Sequence, residues 1–245
     1  MNKALLHFVA RSSRKNALFD SLLTLADTLA SCTGHRATVL SAHSDDPMRG
    51  SGDRQKLPFA FDASLELLAN GDINVDHLHA VMSEHLQTLK EDVHFDLSAA
   101  MLGDNKVFVK SQPTPIRFQY CMRRRADFSN ARYRQYYEQE HAKFGIGMHG
   151  IEGYVQFHAD MDAGQSLAQV CGFGVHALDS VSELHVADMD TFYAGMSKGI
   201  DAGNPGEDED RFVDRRRSVM WVSDEVYRTC SKLASQSNVC QLIAG

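Results

Sequence analysis

The sequence predicts an α+β protein that contains two successive βαββαβ units. Three observations support this class: a short pattern occurs twice, the order of predicted strands and helices repeats, and a proline-containing segment separates the two copies. The 245 residues are enough for two domains of ordinary size. We expect residues 1–112 to form the first unit and residues 113–245 the second.

The repeated pattern is an aspartate, a glutamate four residues later, and then a leucine. It reads DASLEL at residues 62–67 and DSVSEL at residues 179–184. An acidic stretch typical of a helix start follows each copy, at residues 71–74 and 188–191. Because both copies occupy the same place in the element order, duplication explains them better than two unrelated segments do.

The first unit is predicted from alternating strand and helix patterns. Leu18, Leu22, Leu25 and Leu29 recur every three to four residues, which is helical periodicity. The predicted helices are residues 15–29 and 75–89, and the predicted strands are residues 4–10, 36–42, 58–67 and 106–110.

The second unit follows the segment QPTP at residues 112–115, where the prolines interrupt regular structure. The acidic residues 203–210 are expected to form a mobile loop before the last strand. The predicted strands are residues 116–122, 154–158, 172–186 and 218–222, with helices at residues 130–144 and from residue 190. The element order of the first unit is thereby repeated.

A βαββαβ unit is a ferredoxin-like fold, in which the helices cover one face of the sheet only. The other face needs a cover of its own. Two such sheets packed face to face form a barrel, and a chain with two units can build it alone. We therefore expect an intramolecular α+β barrel whose apolar lumen is the natural ligand pocket.

Composition and charge exclude several classes of partner. The formal net charge of -7 argues against nucleic acid, and the arginine runs at residues 123–125 and 215–217 are interpreted as solvated strand ends. The five cysteines form no CxxC pair, which favours free thiols in a reducing compartment. The short apolar stretch at residues 4–10 is too brief for a signal sequence. A cytoplasmic protein without a membrane partner is expected.

The second half resembles a known family in three strings. These are FSNARYRQYYEQEH at residues 128–141, GIEGYVQFH at residues 150–158 and DSVSELHV at residues 179–186. They are similar to the aromatic helix ending in histidine, the Tyr-Val-Gln-x-His strand and the Asp-Gly-x-x-Glu-x-Trp segment of the EthD family. Ser180 and His185 depart from that pattern. The resemblance implies a dimeric α+β barrel fold and chemistry that mostly needs no cofactor.

The aromatic helix supplies the main catalytic candidates. Tyr133, Tyr137 and His141 are four residues apart, so they lie along one stripe of the helix. An imidazole at the end of that stripe is a plausible general base near neutral pH, with Tyr137 orienting a substrate oxygen. The alternative is a buried structural histidine among core aromatic residues.

Two strands supply further candidates. Alternation places Tyr154, Gln156 and His158 on one face, which we expect to point into the lumen. Glu183 and His185 also share a face, where the carboxylate could orient the imidazole or form an exposed ion pair. The predicted secondary catalytic residues are His158, Glu183 and His185, and the predicted substrate-binding residues are Tyr133, Tyr154, Gln156, Phe118 and Tyr120.

The sequence therefore predicts a cofactor-independent lyase or isomerase that acts on a hydrophobic, oxygenated, aromatic or polyketide-like substrate. No HExxH, CxxC, GxSxG or GxGxxG motif is present, so neither a metal nor a nucleotide cofactor is expected. One alternative is a haem enzyme of the chlorite-dismutase type, which also combines two ferredoxin-like units. Another is a non-catalytic, stress-responsive protein that binds a small molecule. Monomer and homodimer both remain open.

Overall fold

The computed structural model describes residues 1–46, 60–111, 114–174 and 176–229. The start of the predicted strand at residues 58–67, residues 112–113 of the proline segment, and Cys230 and Cys240 lie outside these ranges. In the first half, the elements are β1 (Asn2–Phe8), α1 (Lys15–Thr33), β2 (Arg36–Ala42), β3 (Ala63–Ala69), α2 (Val75–Leu89) and β4 (Ala99–Val109).

The second half begins with a strand and one long, compound helix. Its elements up to the third strand are β5 (Ile116–Met122), α3 (Asn130–Tyr136), a π-helical turn (Tyr137–His141), α4 (Ala142–Ile146), β6 (Gly153–Ala159), α5 (Met161–Cys171) and β7 (Ser180–Val186). The chain continues with α6 (Met189–Ser197), α7 (Pro205–Phe212), a short 3₁₀ turn (Arg215–Arg217) and β8 (Val219–Arg228).

Within the described residues, eight antiparallel strands close into a barrel. The strand order is β1-β3-β2-β8-β5-β7-β6-β4. The first half contributes the contiguous order β4-β1-β3-β2, and the second half contributes the corresponding order β8-β5-β7-β6. The two halves join where β2 pairs with β8 and where β4 pairs with β6. The fold is therefore a mixed α and β structure built around a closed eight-stranded barrel.

The repeated Asp-x-x-x-Glu-Leu pattern has the same structural role in both halves. The backbone N–H of Asp62 donates to the oxygen of Phe8 at 2.8 Å, and that of Asp179 donates to the oxygen of Met122 at 2.7 Å. Each aspartate carboxylate also accepts a backbone N–H just beyond the neighbouring strand, from Ala10 or from Arg124, at 2.9 Å. The repeated pattern therefore lies at equivalent positions, the starts of β3 and β7.

The inside of the barrel is divided into an apolar end and a charged end. Leu5, Phe157 and Trp221 belong to a buried cluster at the apolar end. Lys3, Glu66, Arg117, Glu183 and Glu225 are buried at the other end and bond to one another. The expectation of an apolar lumen is therefore wrong for one end, where matched charges offset the cost of burial.

Helices cover the outside of the barrel. The sequence predicted the starts of two of them, where a side chain caps the helix. Asn74 and Asp188 accept backbone N–H groups at the starts of α2 and α6, where acidic stretches predicted helix starts. Leu18, Leu22, Leu25 and Leu29 are buried against the first half of the sheet, as the periodicity predicted.

Two helices in the second half were not predicted. Helix α5 begins at the Asp160 cap and occupies the segment that was expected to connect two strands; the strand predicted at residues 172–186 is only Ser180–Val186. Helix α7 replaces the expected mobile loop at residues 203–210. Asn204 caps it, Pro205 occupies its first turn, and Glu207 and Asp208 place negative charge at its start, so the local signals favour a helix.

Candidate active site between helix and sheet

An aromatic layer lies between the compound helix of the second half and the outer face of the barrel. Tyr133, Tyr137 and His141 are all buried and face this layer, as their spacing predicted. The rings of Tyr133 and Tyr137 stack with centroids 6.0 Å apart, and those of Tyr137 and His141 are 5.8 Å apart. Phe212 of α7 closes the layer against all three rings, so α7 belongs to the site.

Strand β6 contributes its polar face to the same layer. The Gln156 amide donates to the backbone oxygen of Tyr137 at 2.9 Å, and the ring of His158 lies 5.3 Å from that of Tyr137. The prediction that Tyr154, Gln156 and His158 point into the lumen is therefore wrong. A helix covers the outer face of β6, so this polar face meets the helix while Phe157 packs inside the barrel.

His141 is oriented by a carboxylate that the sequence analysis missed. Its Nδ1 lies 2.9 Å from Oδ2 of Asp208, and the Tyr136 hydroxyl donates to Oδ1 of the same carboxylate at 2.7 Å. With Asp208 ionised, this contact fixes the tautomer in which Nδ1 carries the proton and Nε2 has a free lone pair. Asp208 belongs to α7, and its place in an expected loop concealed its role.

Burial determines the protonation of this histidine. His141 is 6% exposed and Asp208 is also 6% exposed. Burial lowers the pKa of His141 below its usual value, although the bond to Asp208 opposes the shift. The ring is accordingly neutral at pH 7, which is the form a general base requires.

The helix is locally distorted where the candidate residues lie. Tyr137 and His141 are the first and last residues of the π-helical turn, which inserts between α3 and α4. Single π turns inside α-helices occur frequently at functional sites, because the extra residue shifts side chains that an α-helix would place elsewhere. Here the turn brings His141 within reach of Asp208 while keeping Tyr137 over β6.

Three buried polar atoms in the layer lack a hydrogen-bond partner among the described residues. These are the hydroxyls of Tyr120 and Tyr137 and Nδ1 of His158. Burial raises the pKa of Tyr137 well above its usual value, so this hydroxyl remains a donor. Burial, with the charges of Arg134 and Lys106, lowers the pKa of His158 to about 4. Buried groups of this kind normally bond to a ligand or a water molecule.

The remaining candidates on the outer face have structural contacts. The Tyr133 hydroxyl lies 2.6 Å from Oγ of Ser180, the serine that departs from the EthD pattern. Tyr154 accepts a bond from Gln156 at 2.7 Å, and burial raises its pKa to about 12. Tyr120 is buried beside Tyr133 and Tyr137, whereas Phe118 contacts Phe192 of α6 at 5.8 Å.

Glu183 and His185 lie on the opposite side of the sheet, at the charged end of the lumen. The two side chains bond at 2.9 Å between Oε1 and Nε2, as their shared face predicted. Burial would raise the pKa of Glu183, but Lys3 and Arg117 outweigh it and hold that pKa well below the usual range. Glu183 is therefore ionised near neutral pH and belongs to a buried network rather than to the aromatic layer.

The aromatic layer does not fit a haem group. An axial ligand would need a histidine nitrogen that faces a space wide enough for a porphyrin. Instead, the rings of Tyr133, Tyr137 and Phe212 pack with centroids 5.5–6.2 Å apart. These contacts occupy the space that the plane of a porphyrin would need between the helix and the sheet.

Three further features of the described ranges concern metal binding, membrane spanning and free thiols. No cluster of three or more His, Cys, Asp or Glu side chains in them is arranged to hold a metal ion. None of the helices in these ranges combines the length and apolarity needed to cross a lipid bilayer. Cys121 and Cys171 are buried free thiols, and Cys32 is an exposed one.

Solved structures share this fold at low sequence identity. An anthrone oxidase-like protein superposes with a TM-score of 0.60 at 9% identity, covering 94% of this chain and 93% of its own. A candidate monooxygenase from Fusobacterium nucleatum superposes with a TM-score of 0.53 at 5% identity, covering 93% of each chain. No curated protein matches this chain.

This chain shares the fold of these structures, and a single polypeptide closes its eight-stranded barrel. Within its second half, residues 125–216 match the family model of the EthD domain. The matched segment contains the compound helix, β6, β7 and α7, and therefore every residue of the aromatic layer named above except Tyr120.

Proposed function

We propose that this protein is a cofactor-independent enzyme that removes a proton next to a carbonyl or phenol of a hydrophobic, oxygenated substrate. The EthD domain and the neighbouring folds suggest a barrel enzyme that processes small molecules. The finer assignment depends on one observation, the contact between His141 and Asp208 in a buried aromatic layer. Aromatic or polyketide-like compounds suit the ring-lined surroundings.

The two halves have unequal roles in this proposal. Residues 1–112 and 113–245 are inferred to be two ferredoxin-like units, since their strand order and Asp-x-x-x-Glu-Leu contacts correspond. The first unit has a plain aliphatic helix, α1, where the second has the aromatic helix. The first unit would thus close the barrel, and the second would carry the chemistry.

The proposed reaction begins with proton transfer to His141. Nδ1–H stays bonded to Asp208, and the lone pair of Nε2 takes the substrate proton. Asp208 then stabilises the imidazolium that forms. The electron pair left on the substrate moves to its oxygen, where the Tyr137 hydroxyl donates a hydrogen bond as negative charge develops. His158 would contact the same oxygen or its neighbour.

The fate of the enolate defines the reaction class. In a lyase or isomerase, this enolate is reprotonated at another carbon by the His141 imidazolium, or it attacks a second carbonyl of the substrate and closes a ring. Where His141 instead takes the proton of a substrate carboxyl or hydroxyl group, loss of CO₂ or C–C cleavage gives the enolate. The second candidate is an oxygenase, in which the enolate reduces O₂ without a cofactor. The names of the two similar structures, an anthrone oxidase-like protein and a candidate monooxygenase, favour this second candidate.

Anthrone is a suitable probe because its CH₂ group lies opposite a ring carbonyl and loses a proton to give an aromatic enolate. Under anaerobic conditions in deuterated buffer, we expect the protein to accelerate exchange of these hydrogens above the spontaneous rate. His141→Ala should reduce the accelerated part by about 100-fold or more, as expected for a lost general base. His149→Ala, which changes an exposed histidine of the same half, should leave it unchanged.

The same probe separates the alternatives. Anthrone that binds without accelerated exchange would contradict the proposal and favour the non-catalytic binding protein. When O₂ is admitted, one molecule consumed per anthrone, with anthraquinone and water formed, would assign the oxygenase. Exchange without O₂ consumption beyond the spontaneous rate would assign the lyase or isomerase. A Soret band in the purified protein would instead favour the haem enzyme.

A further inference from the structure

The charged end of the barrel opens to solvent through a cavity of about 390 Å³. This volume lies within the range of small-molecule pockets. Charged residues of both halves line it, and the described residues that matter here are Lys3, Arg36, Lys110, Arg117, Glu183 and Arg228. The cavity is on the inner side of the sheet, whereas His141 and Tyr137 lie against the outer side.

Deep in the cavity, positive and negative charges are matched. Lys3 contacts Glu66 at 3.0 Å and Glu183 at 2.9 Å, and Arg117 contacts the same two carboxylates at 2.7 and 3.2 Å. The network is completed by Glu225, which lies 2.5 Å from both Arg117 and Arg228. Three cations, Lys3, Arg117 and Arg228, therefore balance three carboxylates, Glu66, Glu183 and Glu225.

Arg36 and Lys110 add positive charge at the mouth that this network does not neutralise. Both line the cavity, both are exposed, and neither forms an ion pair with a described residue. Burial of part of its guanidinium and the nearby charges of Arg228 and Arg117 lower the pKa of Arg36. Arg228 and Arg117 repel the charge of Arg36, and a bound anion would offset this repulsion.

The mouth also offers an apolar wall and an unused donor. Met1, Leu68, Val107 and Val155 line the cavity, and Val107 is 61% exposed. Arg117 is 4% exposed, and its Nε–H has no hydrogen-bond partner among the described residues. An occupant that suits both features has an anionic group for the cations and a small hydrocarbon body for the wall.

We propose that the barrel mouth binds a small organic carboxylate, separately from the aromatic layer. A carboxylate matches the planar fork of arginine, which donates two parallel hydrogen bonds to it. Arg36 and Lys110 would bind the carboxylate, and the aliphatic side chains would cover the body of the ligand. Nothing in the proposed deprotonation requires this second site, so the two proposals stand or fall independently.

Benzoate tests the proposal, with benzamide as a ligand of the same shape that lacks the charge. Titration of the intact protein at low salt should show saturable benzoate binding and at least about tenfold weaker benzamide binding. Arg36→Gln and Lys110→Gln should each weaken benzoate by about tenfold, which is a usual loss for a charge-assisted hydrogen bond. Added salt should also weaken benzoate.

Two further variants serve as controls. Lys198→Gln removes an exposed charge elsewhere and should leave the affinity for benzoate unchanged, and so should His141→Ala. Benzoate that does not bind, or that binds equally to wild type and both mouth variants, would overturn the proposal. Inorganic phosphate bound as tightly as benzoate would also overturn it, because charge alone would then explain the binding.

Discussion

At the scale of single residues, the contact that matters most joins a predicted residue to an unpredicted one. His141 was a candidate because its spacing from Tyr133 and Tyr137 and its resemblance to the EthD pattern both point to it. Asp208 could not be paired with it from sequence, since 67 residues separate them and only the packing of α7 brings them together. A local sequence pattern shows which residues share one face of a helix. It does not show which residue of a distant element that face contacts.

Asp208→Asn tests whether this carboxylate positions and polarises His141. We expect kcat for the anthrone exchange reaction to fall by about 10–100-fold, with a smaller change in KM. Asp208 raises the pKa of His141 against the effect of burial, so its loss should lower that pKa further. The acidic limb of the kcat/KM profile should therefore move to lower pH.

A structural role for Asp208 would give a different profile. If the aspartate only stabilises α7, Asp208→Asn should lower Tm while turnover per folded molecule and the acidic limb stay unchanged. Asp210→Asn provides the control, because this exposed aspartate of the same helix does not contact His141.

At the scale of elements, prediction succeeded where one pattern decided the outcome. Residues 36–42, 75–89 and 116–122 were predicted with the bounds they have, because strand alternation or helical periodicity was uninterrupted. Helix α7 was missed because its acidic composition was given more weight than its Asn204-Pro205 start. The lumen-facing side of β6 was misassigned because alternation defines two faces without showing which one a helix covers.

Glycine substitutions test how closely the compound helix packs on β6. A Cβ at Gly145 of α4 would lie 2.4 Å from the ring of Tyr154, whereas a Cβ at Gly164 of α5 would meet its nearest atom at 3.5 Å. Gly145→Ala should therefore destabilise the protein by about 1–3 kcal/mol through overpacking. Gly164→Ala should be neutral or stabilise by up to about 1 kcal/mol through helix propensity.

The free energy of unfolding of the two variants is compared by chemical denaturation. The rate of anthrone hydrogen exchange is then measured for both variants under conditions in which they are fully folded. Displacement of α4 should also reduce the turnover of Gly145→Ala, because α4 follows directly on His141. Equal stability of the two variants would show that the compound helix does not rest on Tyr154.

At the scale of the whole molecule, the two halves are joined by charges inside the barrel as well as by strand pairing. Lys3 of the first half bonds to Glu183 of the second, and Arg117 of the second bonds to Glu66 of the first. The sequence showed that Glu66 and Glu183 are equivalent through the repeated pattern. It could not show that both face one lumen with two cations, since that follows from closure of the barrel.

Glu183→Gln should break this buried network and destabilise the protein by about 3 kcal/mol at pH 7. Glu138→Gln, which alters a partly exposed pair with Lys106, should cost less than about 1 kcal/mol. The measurement is the free energy of unfolding from urea titration. If the free energies of unfolding of wild type and Glu183→Gln differ by less than the error of the fits, the network makes no net contribution to stability.

The network also predicts the direction of the pH dependence. Lys3 and Arg117 hold the pKa values of Glu66 and Glu183 below their usual values. The stabilisation is then fully present above the unfolded pKa of about 4.3 and is lost as pH falls through the folded pKa values. Wild type should lose stability below about pH 4 more steeply than Glu183→Gln does. Parallel curves for the two proteins would contradict this assignment.

The central claim is that His141 is a neutral imidazole with Nδ1–H bonded to Asp208 and a free lone pair on Nε2. Nitrogen-15 chemical shifts of the histidine rings, with His141 assigned by comparison with His141→Ala, measure this state without any substrate. We expect Nδ1 protonated and Nε2 unprotonated at pH 7, and a pKa below the usual value of about 6.5. A ring protonated on Nε2 at pH 7, or one that titrates at or above about pH 6.5, would contradict the account.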